Sequence, residues 1–204
     1  MPVITGTMNL ARILQTHLVN GETMLGGEGP AAAVNPLLLD GVMMATGALC
    51  VLLTEDGATF RCVDSQLRVI LMPQLGIAPT VWRVEPRPDG GGASADSIPH
   101  RMGGFFDKAE ELRNARKPGE GPEDERPLIW SGRELAAWLE RRLLRMLPYP
   151  TANATMTRML SAWMLLVRGG DQLPTYRNWE QHAERACGLS AEEWTQYYQG
   201  LFLS

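Results

Sequence analysis

Apolar residues recur at helical spacing through the last third of the chain. Leu135, Trp138, Leu139, Leu143, Met146 and Leu147 form one stripe, which only Arg142 interrupts. Ser131 and Glu134 precede it as S-x-x-E, a pair that can satisfy free N–H groups at a helix start, and Pro148 stops the run. Met156, Met159, Leu160, Trp163, Met164 and Val167 repeat the spacing up to Gly169-Gly170. A third helix is predicted from about Tyr176 to Cys187, with Gly188 as its C-terminal cap. Ser190 and Glu193 make a second capping box, which opens a helix carrying Trp194, Tyr197, Tyr198, Leu201 and Phe202. Short connections favour packed neighbours, so residues 130–204 are expected to form a four-helix domain. Each buried large apolar side chain contributes roughly 1.5–3 kcal/mol. The Met and Trp residues are therefore read as core.

The first 85 residues read differently. Thr7 can cap a helix with Leu10, Ala11, Ile13, Leu14, His17 and Leu18 on one side, ended by Asn20-Gly21. Leu25–Pro30 (LGGEGP) lacks the preceding strand and the Lys-Ser/Thr that a phosphate loop requires, and reads as a plain loop. Asn35-Pro36 starts a short helix to about Thr46. Ala48–Thr54 and Ala58–Asp64 are β-prone runs around Glu55-Asp56-Gly57, a hairpin signal, and Gln66–Met72 and Thr80–Glu85 read as two more strands. In the last, Trp82 and Val84 alternate with Arg83 and Glu85, as on a sheet with one wet face. The fold class expected is α+β: an N-terminal helix with a small antiparallel β-meander over 1–85, followed by the C-terminal bundle. Residues 86–129 form the connector, rich in Gly and Pro, with a short charged helix over Phe105–Lys117 and a polar, acidic stretch at Pro118–Pro127.

Apolar content of 45% with 21% charged residues describes a globular protein with material for a real core. The longest apolar run, Gly41–Leu53, is broken by Gly41, Thr46 and Gly47, and is too short to span a bilayer. No basic segment followed by an apolar core opens the chain, so no secretory signal is expected. Three cysteines, an odd number, argue against a disulfide framework and for a reducing compartment. The net charge of −4 supplies no global attraction to nucleic acid. Among 19 basic residues only Lys108 and Lys117 are lysine, which suggests coding bias of a GC-rich bacterial or phage genome.

Candidate chemistry is sparse. His17, His100 and His182 lie far apart, and no C-x-x-C or H-x-x-x-H spacing occurs, so neither metal nor another cofactor is expected. His17 reads as a core histidine. Cys50 and Cys62 face each other only if the hairpin turn has three residues; otherwise they point to opposite faces, and in either case they read as small apolar residues. Cys187 and His182 are five apart on one helix, a spacing that does not put them on one face, so no catalytic residue is assigned. Arg141, Arg142 and Arg145 cluster on the helix after Ser131, with Arg133 before them and Arg158 and Arg168 on the next helix. Such clusters hold phosphate well. Membrane binding fits only weakly, since the same helix's stripe is better used inside a bundle.

These observations lead to one expectation and one alternative. The expectation is a non-enzymatic structural or interaction component of a larger assembly. It would be bound to other protein chains, as homo- or hetero-oligomer, in the cytoplasm or in a phage virion as a connector or tail-associated protein. The alternative is a nucleic-acid-binding or regulatory module that works through Arg141, Arg142 and Arg145.

Overall fold

The structure, a computed structural model, describes residues 36–202 apart from 56, 81, 87–91, 120, 121, 123, 124, 171 and 177. The helix expected after Thr7, with His17, and the loop Leu25–Pro30 lie outside the described residues. Among these described residues seven α-helices follow in order: α1 (Pro36–Thr54), α2 (Phe60–Gln74), α3 (Ile98–Asn114), α4 (Gly132–Met146), α5 (Asn153–Val167), α6 (Trp179–Gly188) and α7 (Ala191–Gly200). A 3-10 turn, Ala95–Ser97, leads into α3. Among the described residues there is no β-strand, only an isolated bridge between Arg116 and Leu128. The fold is thus all-helical, and the expected α+β class with its β-meander is wrong.

The error has a physical cause. β-Branched and apolar residues raised the strand reading, but the burial pattern is helical. Along α2, Phe60, Val63, Asp64, Leu67, Leu71 and Met72 are buried, at steps of one, three and four residues. Thr59 caps this helix by accepting from the Cys62 N–H at 3.2 Å. In α1, Ala45, Leu49 and Leu52 are buried, and the helix runs through Gly41 and Gly47 to Thr54. A helix-interior glycine costs about 1 kcal/mol, less than burying one leucine returns. Gly41 also sits close to Gln74 of α2, where an added Cβ would lie 3.0 Å from the side chain. The hairpin question for the cysteines disappears: Cys50 is half-buried on α1, and Cys62 is exposed on α2.

Among the described residues of the expected strand Thr80–Glu85 no strand forms; the Arg83 N–H bonds the Pro148 carbonyl at 3.0 Å, and Arg83, not Val84, is the buried residue. Arg83 is 5% exposed and Val84 73%. Helix α3 begins seven residues before Phe105, in a stretch that reads as Gly- and Pro-rich linker, and it buries Ile98 and Met102 besides Phe105, Phe106, Ala109 and Leu112.

Helix α4 is central and packs against α3, α5, α6 and α7. Both ends are set by sequence. The Ser131–Glu134 capping box is formed, and Leu147 turns left-handed (φ 48°) just before Pro148. One side of α4 (Leu135, Leu139, Leu143 and Met146) joins a core shared with α1, α2, α3 and α5. Another side (Ala136, Ala137 and Leu144) joins a second core with α6 and α7, centred on Trp194 and Tyr198. The second capping box, Ser190–Glu193, opens α7 as expected. Gly188 is the last residue of α6 rather than its cap; Asn178 caps the start by accepting from Gln181 N–H. Among the described residues, no helix is long and apolar enough to cross a membrane.

Candidate functional site: a basic groove beside a buried glutamate

Two arrangements on opposite sides of α4 gather the chain's charged chemistry. The first is buried. Glu140, which is 0% exposed, accepts from the hydroxyls of Tyr176 (2.5 Å) and Tyr198 (2.7 Å) on Oε1, and its Oε2 lies 2.9 Å from His182 Nε2. With the ring proton on Nε2, His182 donates to the carboxylate, and its Nδ1, 3.0 Å away, accepts from the Tyr197 hydroxyl. Ser161 meets the Tyr198 hydroxyl at 2.9 Å. Burial alone would raise the Glu140 carboxyl. The His182 bond, with the hydroxyls of Ser161 and Tyr176, outweighs it and holds the group below the usual glutamate range. The same burial, with Glu140 beside them, pushes the Tyr176 and Tyr198 phenols well up, so both remain donors.

Arg158 of α5 completes this cluster in an unusual way. It is 3% exposed, and none of its three guanidinium nitrogens has a hydrogen-bond partner. It lies instead over the rings of Trp179 (3.9 Å) and Tyr176 (5.1 Å). Burial lowers it to about 10, against the opposing charges of Tyr176 and Glu140, so it stays cationic at neutral pH. Apart from the half-exposed Tyr197 the arrangement is closed to solvent, and apart from Arg158 its polar groups are committed to one another. What it does is lock α5, α6 and α7 onto α4.

The second arrangement is open. A groove of about 630 Å³ lies between α3 and the C-terminal half of α4. Arg101 and Lys108 line it from α3, and Arg142 and Arg145 from α4. All four are exposed, and among the described residues no carboxylate lines the groove. Lys108 makes an exposed pair with Glu111 at 2.5 Å, which solvent and salt weaken. Phe105 and Trp138 supply the apolar wall, their rings parallel within 1° and 5.5 Å apart. The Arg142 guanidinium lies 5.9 Å over the Trp138 ring.

The far wall, Gly92–Ser94, is fixed from behind by Arg83. Its guanidinium donates to the carbonyls of Leu147 (3.0 Å), Glu85 (2.8 Å) and Ala93. The Ala93 N–H reaches the Met146 carbonyl at 3.1 Å. A cation at this end of α4 also meets the negative end of the helix dipole. Gly92 holds φ 80°, and a Cβ there would lie 2.8 Å from the Met146 carbonyl oxygen, so the close approach requires glycine.

The structure divides the arginine cluster read from sequence. Arg142 and Arg145 reach the groove, whereas Arg141 turns the other way and donates to the Leu189 carbonyl at 2.5 Å. Arg133 lies over Phe202 and bonds Gln172, and Arg168 bonds the Arg113 carbonyl. Arg101 and Lys108 were missed. They stand seven apart on one face of α3, a signal that becomes visible only when that helix is begun at Ile98. His182 is buried, while Cys187 and His100 are exposed, so the local Cys–His pair does not assemble. Among the described residues no three His, Cys, Asp or Glu side chains gather as a metal site needs.

Fold and site together define an all-helical protein with an open basic groove. Compared with known families, curated proteins and solved structures, the chain matches none.

Proposed function

We propose that this chain is a non-enzymatic interaction component that docks nucleic acid, through its phosphates, in the groove between α3 and α4. The observation that carries this reading is the convergence of Arg101, Lys108, Arg142 and Arg145 on one cavity that no carboxylate lines among the described residues. Like charges held together on a concave surface repel one another, and an anion that bridges them relieves that repulsion. Phosphodiesters supply such charge at regular intervals and take arginine in paired hydrogen bonds.

The test is a titration of labelled oligonucleotides against salt. With four phosphates neutralised, affinity falls roughly 50- to 150-fold between 50 and 200 mM salt. The Arg101→Ala/Arg142→Ala/Arg145→Ala variant loses about three quarters of that salt slope. Arg141→Ala, whose side chain faces α6 and α7, retains it. Equal binding by the wild type and the triple variant sinks the reading.

A second reading keeps the assembly with other protein chains. Its support is the outer surface of α1 and α2, where Met43, Met44, Val51 and Val69 are 46–64% exposed. Scattered apolar residues are ordinary on a surface, but three on one helix favour contact with another chain. Native mass measurement decides it: a monomer at high concentration, with and without oligonucleotide, removes this reading.

A further inference from the structure

We infer that the groove is built for a single strand, with a nucleobase stacked against Trp138 while the strand's phosphates sit on the four cations. This rests on the nucleic-acid reading above and narrows it. Three observations carry it. The first is shape. Proteins that read a duplex push a helix or ribbon into its major groove, about 12 Å wide. Here the cations line a hollow between two packed helices rather than the outer face of one projecting helix. Its volume falls within the range, about 300–1,000 Å³, of cavities that enclose one ligand of nucleotide size.

The second is the aromatic wall. Trp138 and Leu147 are the partly buried members of the apolar stripe, and of these two Trp138 lines the groove among the cations. Phe105, lying parallel behind it, is itself braced edge-on by Phe106 at 5.5 Å. The indole is thereby held in one orientation before any ligand arrives, which lowers the ordering cost of stacking. Arg142 beside the ring adds a cation to the same surface.

The third is spacing. Arg101 and Lys108 are separated by two helical turns, about 10 Å along α3. Arg142 and Arg145 are one turn apart on α4. Both α4 arginines lie C-terminal to Trp138, while Arg101 and Lys108 bracket Phe105, the ring stacked on the indole, so positive charge extends along the groove past the stacked pair. A positive track with an aromatic step in it is the arrangement by which single strands are held without sequence preference.

The experiment uses the full chain and three labelled probes at 50 mM salt: a deoxythymidine 12-mer, an abasic strand of the same length, and a 12-base-pair duplex. The thymidine strand is expected to bind roughly 5- to 150-fold more tightly than the abasic strand, the range of one stacked base. It should also bind more tightly than the duplex. Trp138→Ala should remove the difference between thymidine and abasic strands, while Trp138→Phe keeps most of it. Equal affinity of the wild type for the thymidine and abasic strands overturns the stacking proposal, and does so without any variant that could misfold. In that case, salt-dependent binding of all three probes still leaves the phosphate reading standing. No binding of any probe sinks both.

Discussion

The two sides of α4 carry charge in different ways. On one side Glu140 is sealed among Tyr176, Tyr198 and His182, with Arg158 held over aromatic rings above it. On the other, Arg142 and Arg145 stand exposed at a cavity that no carboxylate lines among the described residues. Arg141 and Arg142 are adjacent in sequence, yet one is fixed to the Leu189 carbonyl and the other stands exposed over the Trp138 ring. The difference teaches that a charge on this helix is structural when a neighbouring element supplies its partner, and available when none does. The buried side should therefore govern stability, and the open side binding.

Removing Glu140 should have the largest effect. Glu140→Ala leaves the tyrosine and histidine donors without an acceptor and Arg158 without a counter-charge, and should cost about 3–5 kcal/mol in chemical denaturation. A loss below about 1 kcal/mol would show that the cage is not what joins α6 and α7 to α4.

The next effect sets Glu140 against a second buried carboxylate. Asp64 on α2 accepts from Tyr149 (2.6 Å) and Arg68 (2.9 Å). Burial raises its carboxyl, and the Arg68 charge and the two bonds oppose that without cancelling it. Folding therefore favours the protonated form of Asp64. Its contribution is complete below the unfolded value, about 3.9, and is lost as pH rises through the raised folded value. For Glu140 the folded value is depressed. Its contribution is complete above the unfolded value, about 4.3, and is lost as pH falls through the folded one. Stability profiles from pH 3 to 7 should show Glu140→Gln flattening the acid-side loss, and Asp64→Asn flattening the opposite slope. The Asp64→Asn change itself should cost about 1–3 kcal/mol. Profiles that respond to both changes in the same direction would contradict the assignment.

A smaller change tests the capping at α7. Ser190→Ala removes the side chain that accepts from the Glu193 N–H and should cost about 1 kcal/mol in thermal or chemical unfolding. The smallest effect belongs to the open side. The triple groove variant should alter stability by no more than about 0.5 kcal/mol, since exposed side chains away from packed contacts contribute little. A large destabilisation there would mean that those arginines are structural after all, and the contrast between the two sides of α4 would collapse.

Much of the C-terminal third was legible in the chain. The Ser131–Glu134 and Ser190–Glu193 boxes, the stripe on α4 and the stop at Pro148 are local signals, and local hydrogen bonds satisfy them. The interruption of the stripe at Arg142 was visible too, although its meaning was not. The helix from Pro36 to about Thr46 was legible, but the second half of α1 (Ala48–Thr54) and α2 were misread, because β-branched residues and a turn centred on Gly57 outweighed a burial period that only a longer window reveals. Arg83 could not have been placed from sequence, because the carbonyls it meets, at Leu147 and Ala93, lie 64 and 10 residues away.

The sequence by itself determined where helices α4 to α7 lie and how α4 and α7 are capped, because those signals act within one turn of backbone. Tertiary structure alone decided which charges are hidden and which are offered. Partners for Glu140 come from α5, α6, α7 and the segment before α6, and the groove forms only when α3 lies alongside α4. Burial and electrostatic partnership arise between segments distant along the chain, and no local pattern encodes them.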